Sequence, residues 1–340
     1  MSIITDSTSI LVTGGTGSFG KRFIRALLDE TSARRVIIFS RDELKQFEMS
    51  KDPSYSDADR RRLRFFLGDV RDRDRLRQAF SDVDIIIHAA ALKQVPACEY
   101  NPFEAVKTNV HGAQNIIECA ISSGVKRVIA LSTDKACNPI NLYGATKLCS
   151  DKLFVSGNAY AGGRQTRFAV VRYGNVVGSR GSVIPFFLKQ RETGVLTITH
   201  PDMTRFWITL EQGVRFVLNS LERMKGGEVF VPKIPSATIT ALATAIGPDC
   251  EQKVIGIRPG EKLHEMMIST DDARLTREFD DHYVIQPQFG WWAERTRNVS
   301  HGKEVAEGFV YSSEVNDSWL TIEQIREIVS PFEETSTGKR

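Results

Sequence analysis

Ser9-Ile-Leu-Val-Thr is a short apolar run that stops at Gly14, and the segment behind it spaces Phe19, Phe23, Ile24, Leu27 and Leu28 three and four apart. A continuous apolar run followed by a 3.6-residue period predicts a buried strand feeding an amphipathic helix. The pattern recurs. Arg35-Val-Ile-Ile-Phe, Leu63-Arg-Phe-Phe-Leu, Asp84-Ile-Ile-Ile-His, Arg127-Val-Ile-Ala-Leu-Ser and Arg167-Phe-Ala-Val-Val-Arg-Tyr each read as buried strands, and Thr108, Val110, Ala113, Ile116, Ile117 and Ala120 mark a long helix between them. Such alternation predicts a doubly wound parallel sheet. After residue 175 the segments shorten, broken by Pro185, Pro201, Pro232, Pro235 and Pro259. The chain is therefore expected to be α/β: a Rossmann-type domain over 1–175, a smaller, partly interleaved α/β substrate domain over 176–330, and a polar tail over 331–340. Residues 50–64 read as a surface excursion with Arg60 to Arg62 on a solvated face, and Met203 to Glu211 as a strand entering a helix.

Composition narrows the class. The 340 residues are 41% hydrophobic and 26% charged, with a net charge of +3, values of an ordinary globular protein with no electrostatic case for nucleic acid or a membrane surface. Five unpaired-looking Cys predict reduced thiols. The first residues lack a basic stretch followed by an apolar one, no apolar run approaches the ~18 residues of a membrane span, and no His or Cys cluster has metal-ligand spacing. A cytoplasmic, metal-free protein is expected.

The first chemistry lies at Gly14-Gly-Thr-Gly17-Ser-Phe-Gly20. Glycines between a strand and a helix put backbone N–H groups at a helix N-terminus, which suits a dinucleotide pyrophosphate. Thr13, Gly14, Gly17, Ser18, Phe19 and Gly20 are the candidates there. At the tip of the second strand Ser40 and Arg41, with Lys45, favour the 2′-phosphate of NADP, while Asp42 and Glu43 keep NAD open. Asp69 and Val70 offer a carboxylate and an apolar face to an adenine, and Asp72 a helix cap. Ala89 and Ala90 allow close backbone approach, and Lys93 and Thr108 complete the cofactor set, Lys93 also bordering a sugar pocket.

The second lies between Leu131 and Lys147. Tyr143 and Lys147, four apart, share one helical face, and a phenol beside an ammonium ionises more readily. A base next to an alcohol is what hydride removal requires. Asp134 and Lys135 add a second acid and base, which alcohol oxidation alone does not need. Asn175, Arg205 and Arg258 suit a diphosphate.

With these motifs the chain resembles the extended short-chain dehydrogenase/reductases, the nucleotide-sugar epimerases and dehydratases, from about residue 8 to 285. Ser132-Thr-Asp-Lys-Ala, His88-Ala-Ala-Ala-Leu-Lys-Gln-Val-Pro, Tyr173-Gly-Asn-Val-Val-Gly-Ser-Arg-Gly-Ser, Met203-Thr-Arg-Phe-Trp-Ile-Thr and Arg258-Pro-Gly-Glu-Lys-Leu-His-Glu place it nearest the soluble, C5-inverting 4,6-dehydratases of pseudaminic acid biosynthesis, which act on UDP-N-acetylglucosamine. Retaining dehydratases usually carry glutamate where Lys135 stands. The resemblance implies a homo-oligomer with tightly held NADP, catalysis by Thr133, Asp134, Lys135, Tyr143 and Lys147, the last two also binding the cofactor, and Asn175, Val183, Arg205, Arg258 and Glu261 along the nucleotide sugar. Tyr143 would deprotonate O4, Lys135, its pKa lowered by burial and Lys147, would take the C5 proton, and Asp134 would protonate the departing C6 hydroxyl. A UDP-sugar 4-epimerase, a retaining 4,6-dehydratase and a non-catalytic NADP sensor remain open alternatives. Gly290-Trp-Trp-Ala-Glu fits no motif.

Overall fold

The computed structural model describes residues 3–178, 182–288 and 302–337. Ser179 to Gly181 of the Tyr173 motif, and the Gly290 to Glu294 stretch, lie outside the described residues.

Five strands bring the Val- and Ile-rich runs together: β1 (Ser9–Thr13), β2 (Arg35–Ser40), β3 (Leu63–Leu67), β4 (Ile85–His88) and β5 (Arg127–Thr133). With β6 (Arg167–Tyr173) they form a parallel sheet in the order β3-β2-β1-β4-β5-β6. Helices cover both faces of such a sheet, so its strands read as unbroken apolar runs, not alternating ones. The strand order reverses between β1 and β4, and there the chain leaves a crevice at the carboxyl ends of the strands. The doubly wound expectation holds.

Beyond β6 the sheet continues with residues expected in the second half of the chain. Val229–Pro232 adds in parallel to β6, and His282–Ile285, Thr276–Glu278 and Lys303–Glu304 follow antiparallel. Between these returns the chain builds a second apolar cluster, including Ile184, Phe187, Leu196, Trp207, Leu242 and Ile246. Ile325 and Val329 of the helix Ile322–Thr337 complete it. That helix runs into the stretch read as a polar tail. No described helix is long and apolar enough to cross a membrane.

Residues 50–64 are more structured than their polarity suggested. Ser56 and Asp59 form a capping box for the helix Asp57–Arg62. Arg62 is no solvated charge: it donates to the carbonyls of Leu28 at 2.9 Å, Thr31 at 2.7 Å and Ala33 at 2.8 Å. It thereby satisfies the open end of the helix Ser18–Glu30, whose last carbonyls have no helical partner.

Candidate active site

A cleft of about 1160 Å³ opens at the strand ends, walled by the Gly14–Gly20 turn, the ends of β2 to β6 and the second apolar unit. Gly14 has φ +67°, and a Cβ there would stand 3.0 Å from the backbone of Ala89 and Ala90, so only glycine lets the two turns meet. The helix Ser18–Glu30 starts at Gly17 with no side-chain cap. Its first N–H groups and positive end are thus left for a ligand anion. Thr108 Oγ1, in the same wall, is buried and finds no hydrogen-bond partner among the described residues. These features fit a dinucleotide.

Sixteen cofactor candidates are on the wall: Gly14, Gly17, Ser18, Phe19 and Gly20; Ser40, Arg41, Lys45, Asp69 and Val70; Ala89, Ala90, Lys93 and Thr108; Tyr143 and Lys147. Thr13 is not. It is fully buried, its Oγ1 2.8 Å from His88 Nδ1 and accepting from the Ala89 and Ala90 N–H groups at 3.2 Å, so it braces the wall from behind. Arg41 lies 3.5 Å from Asp69, which Arg71 also holds at 2.7 Å. Asp42 caps the helix Glu43–Lys51 and pairs with Lys45, and Asp72 caps Arg73–Ala79.

His88 has a consequence for stability. Burial, reinforced by the nearby Lys147 ammonium, pushes its pKa down to about 3. The folded protein refuses a proton that the unfolded chain accepts below about pH 6.5. Stability is therefore fully present above that pH and falls as pH drops toward 3, at up to about 1.4 kcal/mol per pH unit. Urea unfolding of His88→Asn, which keeps a polar partner for Thr13, should show a shallower loss than the unmodified protein between neutral pH and pH 5.

The catalytic candidates come from the end of β5 and the helix Leu142–Tyr160. Asn141 caps that helix, accepting from Gly144 N–H at 2.8 Å. A Cβ on Gly144 would collide with the Lys135 carbonyl oxygen, so this glycine lets the Tyr143 helix press against the Asp134–Ala136 turn. Gly144→Ala should cost about 1–3 kcal/mol through forced displacement and reduce activity with it, measured as a lower denaturation midpoint together with initial rates.

Tyr143 is buried and hydrogen-bonded with Thr133, whose Oγ1 lies 2.9 Å from Asp134 Oδ1. Burial pushes the phenol up to about 12, opposed by the Lys135 ammonium and the Thr133 hydrogen bond. The cation expected to help was Lys147, but its Nζ donates to Leu131 O at 2.8 Å. Burial lowers the Lys147 pKa, against the pull of Asp151. Asn109, on a widened turn at Lys107–His111, ties this helix to the wall through Leu92 at 2.8 and 2.9 Å and Thr146 at 3.0 Å. A lone Asn in a helix carried no sequence signal.

Two expectations need correction. Asp134 has no exposed surface and does not line the cleft: it opens the tight turn Asp134–Ala136 after β5, and its carboxylate lies beneath the cleft-lining Thr133 and Lys135, accepting from both at 2.9 and 3.1 Å. Lys135, moreover, is not pushed down. Burial disfavours its ammonium, but Asp134 at 3.1 Å and Glu265 at 3.0 Å outweigh that and hold its pKa above the ordinary lysine value. Glu265, 2% exposed, was not foreseen as a site residue. Nothing in its sequence position links it to Lys135; only the fold does.

On the other wall stand Asn175, Val183, Arg205, Arg258 and Glu261. Asn175 Oδ1 accepts from Lys135 at 3.4 Å. Arg205 gives its guanidinium to the carbonyls of Thr204, Lys262 and Leu263 at 2.7–3.0 Å, so Arg258, more than half exposed and 3.8 Å from Glu261, is the better placed for a phosphate. Ser182 Oγ, Trp207 Nε1 and Glu261 Oε2 line this half without a hydrogen-bond partner among the described residues. Ser182 and Trp207 were not singled out from sequence.

Residues 10–287 match a family described as "Polysaccharide biosynthesis protein". The chain belongs to this family. Two UDP-N-acetylglucosamine 4,6-dehydratases (inverting) from Campylobacter jejuni are 55% identical to this polysaccharide biosynthesis family member over 333 residues, 96% of this chain and 98% of theirs. A UDP-glucose 4-epimerase from Rickettsia canadensis is 38% identical over 94% of this chain and 95% of its own. The X-ray structure of Pen from Bacillus thuringiensis matches with a TM-score of 0.85 at 35% identity, covering 96% of this chain and 99% of that one. Within the polysaccharide biosynthesis family the protein is an enzyme of the nucleotide-sugar dehydratase and epimerase group.

Proposed function

We propose that the protein is an NADP-dependent UDP-N-acetylglucosamine 4,6-dehydratase that inverts C5. Its product would be UDP-2-acetamido-2,6-dideoxy-β-L-arabino-hex-4-ulose, the entry to pseudaminic acid. The observation that carries the reading is Lys135 on the cleft wall beside Tyr143, where a retaining enzyme of the resembled group has glutamate. The 55% identity to enzymes with this activity supports it.

When bound across the Gly14–Gly20 turn, the dinucleotide supplies a reversible hydride acceptor. Gly17 and Ser18 would hold its pyrophosphate, Arg41 its 2′-phosphate and Lys147 its nicotinamide ribose. Tyr143 takes the O4 proton of the sugar, and Thr133 hydrogen-bonds the oxygen as it becomes a carbonyl. The ketone makes the C5 proton acidic, and Lys135 removes it once its resting ammonium has given up a proton. Asn175, Arg258 and Glu261 orient the uridine diphosphate.

Incubation with UDP-N-acetylglucosamine in deuterated water tests the reading. A product lighter by one water and deuterated at C5 is expected. UDP-N-acetylgalactosamine as sole product would replace it with the epimerase reading, for which the Rickettsia relative speaks.

A further inference from the structure

Resting on the reading of Arg258 and Glu261 as ligands of the uridine diphosphate, we propose that Asn141 is a positioning residue for substrate binding. It anchors the turn that carries those two side chains to the start of the Tyr143 helix before the nucleotide arrives.

The turn has little else to hold it. Between the strands Glu251–Val254 and Met266–Ile268 the chain forms no helix or strand, and residues 253–259 are all exposed. A segment with so little burial opens readily unless polar ties fix it. Arg258-Pro-Gly-Glu261 closes on itself, the Glu261 N–H donating to Arg258 O at 3.0 Å, with Gly260 at φ +78°. Pro followed by Gly suits such a turn, and Arg258 and Glu261 stand at its two ends. This internal bond fixes the shape of the turn but not its place. On the C-terminal side Arg205 holds the Lys262 and Leu263 carbonyls, and Lys262 Nζ donates to Cys137 O at 2.6 Å. The turn itself is met by Asn141, whose Nδ2 donates to Gly260 O at 2.8 Å.

Asn141 can do this because its amide has two ends. Its Oδ1 accepts from Gly144 N–H and so caps the helix Leu142–Tyr160, which turns Nδ2 toward the Gly260 carbonyl. The Leu142 N–H is taken by Glu99 Oε1 at 2.7 Å, from the helix Val95–Tyr100 whose first residues border the cleft. Gly260 is pressed into the same corner: a Cβ there would stand 3.1 Å from Val95 and 3.3 Å from Asn141. One amide thus sets the diphosphate turn against the helix that presents Tyr143 two residues later. A turn already in place spares the substrate the cost of ordering it.

Calorimetric titration with UDP, and initial rates with UDP-N-acetylglucosamine, test the anchor. Asn141→Ser and Asn141→Asp both preserve a helix cap. Serine ends one bond short of the Gly260 carbonyl, and aspartate turns a second acceptor toward it. Gly260→Ala attacks the same contact from the other side, because alanine at φ +78° is strained and crowds Val95. In all three the Kd for UDP and the KM for the nucleotide sugar are expected to rise about tenfold, the upper range for one hydrogen bond. The kcat should stay within about threefold, as loss of binding shared by ground and transition states predicts. The Kd for NADP should stay within about twofold, as expected of a separate site on an intact fold. UDP affinity unchanged in Asn141→Ser and Gly260→Ala reduces Asn141 to a helix cap and overturns the anchor. Weakening in Asn141→Asp alone overturns it as well, since that is the effect of an added charge. If UDP fails to bind the unmodified protein, or Arg258→Ala leaves its affinity unchanged, the diphosphate reading falls and the anchor with it.

Discussion

Tyr143→Phe is expected to lower turnover of UDP-N-acetylglucosamine on the order of 10³- to 10⁴-fold, the upper range for loss of a positioned proton acceptor. The ring is buried on the cleft wall, and its phenol oxygen hydrogen-bonds with Thr133. Removing that oxygen leaves packing untouched, so the melting temperature should stay near that of the unmodified enzyme. What is lost is the first chemical event. Without a base at O4 the ketone never forms, the C5 proton never becomes acidic, and everything later is silent. Rapid quenching with a carbonyl-trapping amine should therefore recover no keto sugar from Tyr143→Phe. Trapped keto sugar in amounts equal to the unmodified enzyme would show that another group deprotonates O4.

Lys135→Met should be as inactive in product formation, by about 10³-fold or more, yet differ in kind. Methionine keeps the length of the side chain while removing its amine, and Tyr143 retains its hydrogen bond with Thr133. Oxidation at C4 can then proceed, and the sugar stalls as a 4-ketone with its C6 hydroxyl in place. The same trapping experiment should recover that ketone, two hydrogens lighter than the substrate, with no deuterium at C5 from deuterated water. Deuterium at C5 in this variant would mean that Lys135 is not the base. The substitution also leaves Asp134 and Glu265 buried without their shared cation, so some loss of stability, about 3–5 kcal/mol when a buried pair is broken one-sidedly, accompanies it. Assays at low temperature separate this from the chemistry.

Much of this was legible in the sequence because parallel strands and a glycine turn are local matters. β1, β2, β4 and β5 are Val- and Ile-rich runs buried on both faces, and their neighbours in sequence are the helices that bury them. Gly14 to Gly20 and the Tyr143–Lys147 pair are short-range patterns for the same reason. What escaped was set by distant pairing. Val229–Pro232 and Thr276–Glu278 are too short, and the first too near Pro232 and Pro235, to be read as members of the main sheet. Arg62 reads as a surface charge until the end of the helix Ser18–Glu30 is placed against it. Asp134 reads as a cleft residue because its neighbours are, although the turn after β5 buries its carboxylate beneath them. Glu265 becomes part of the site only through the Lys135 contact, which no spacing announces.

The neighbour of β6 in the sheet is Val229–Pro232, and the neighbour of that strand is His282–Ile285. A nascent chain therefore cannot finish its main sheet when residue 175 emerges from the ribosome. The exposed border of β6 stays unzipped until Val229–Pro232 has been synthesised, and the border of that strand in turn waits for His282–Ile285. Fragments ending between them would present a sticky, unmated strand to other copies, which makes this protein a poor candidate for dissection into separately produced halves.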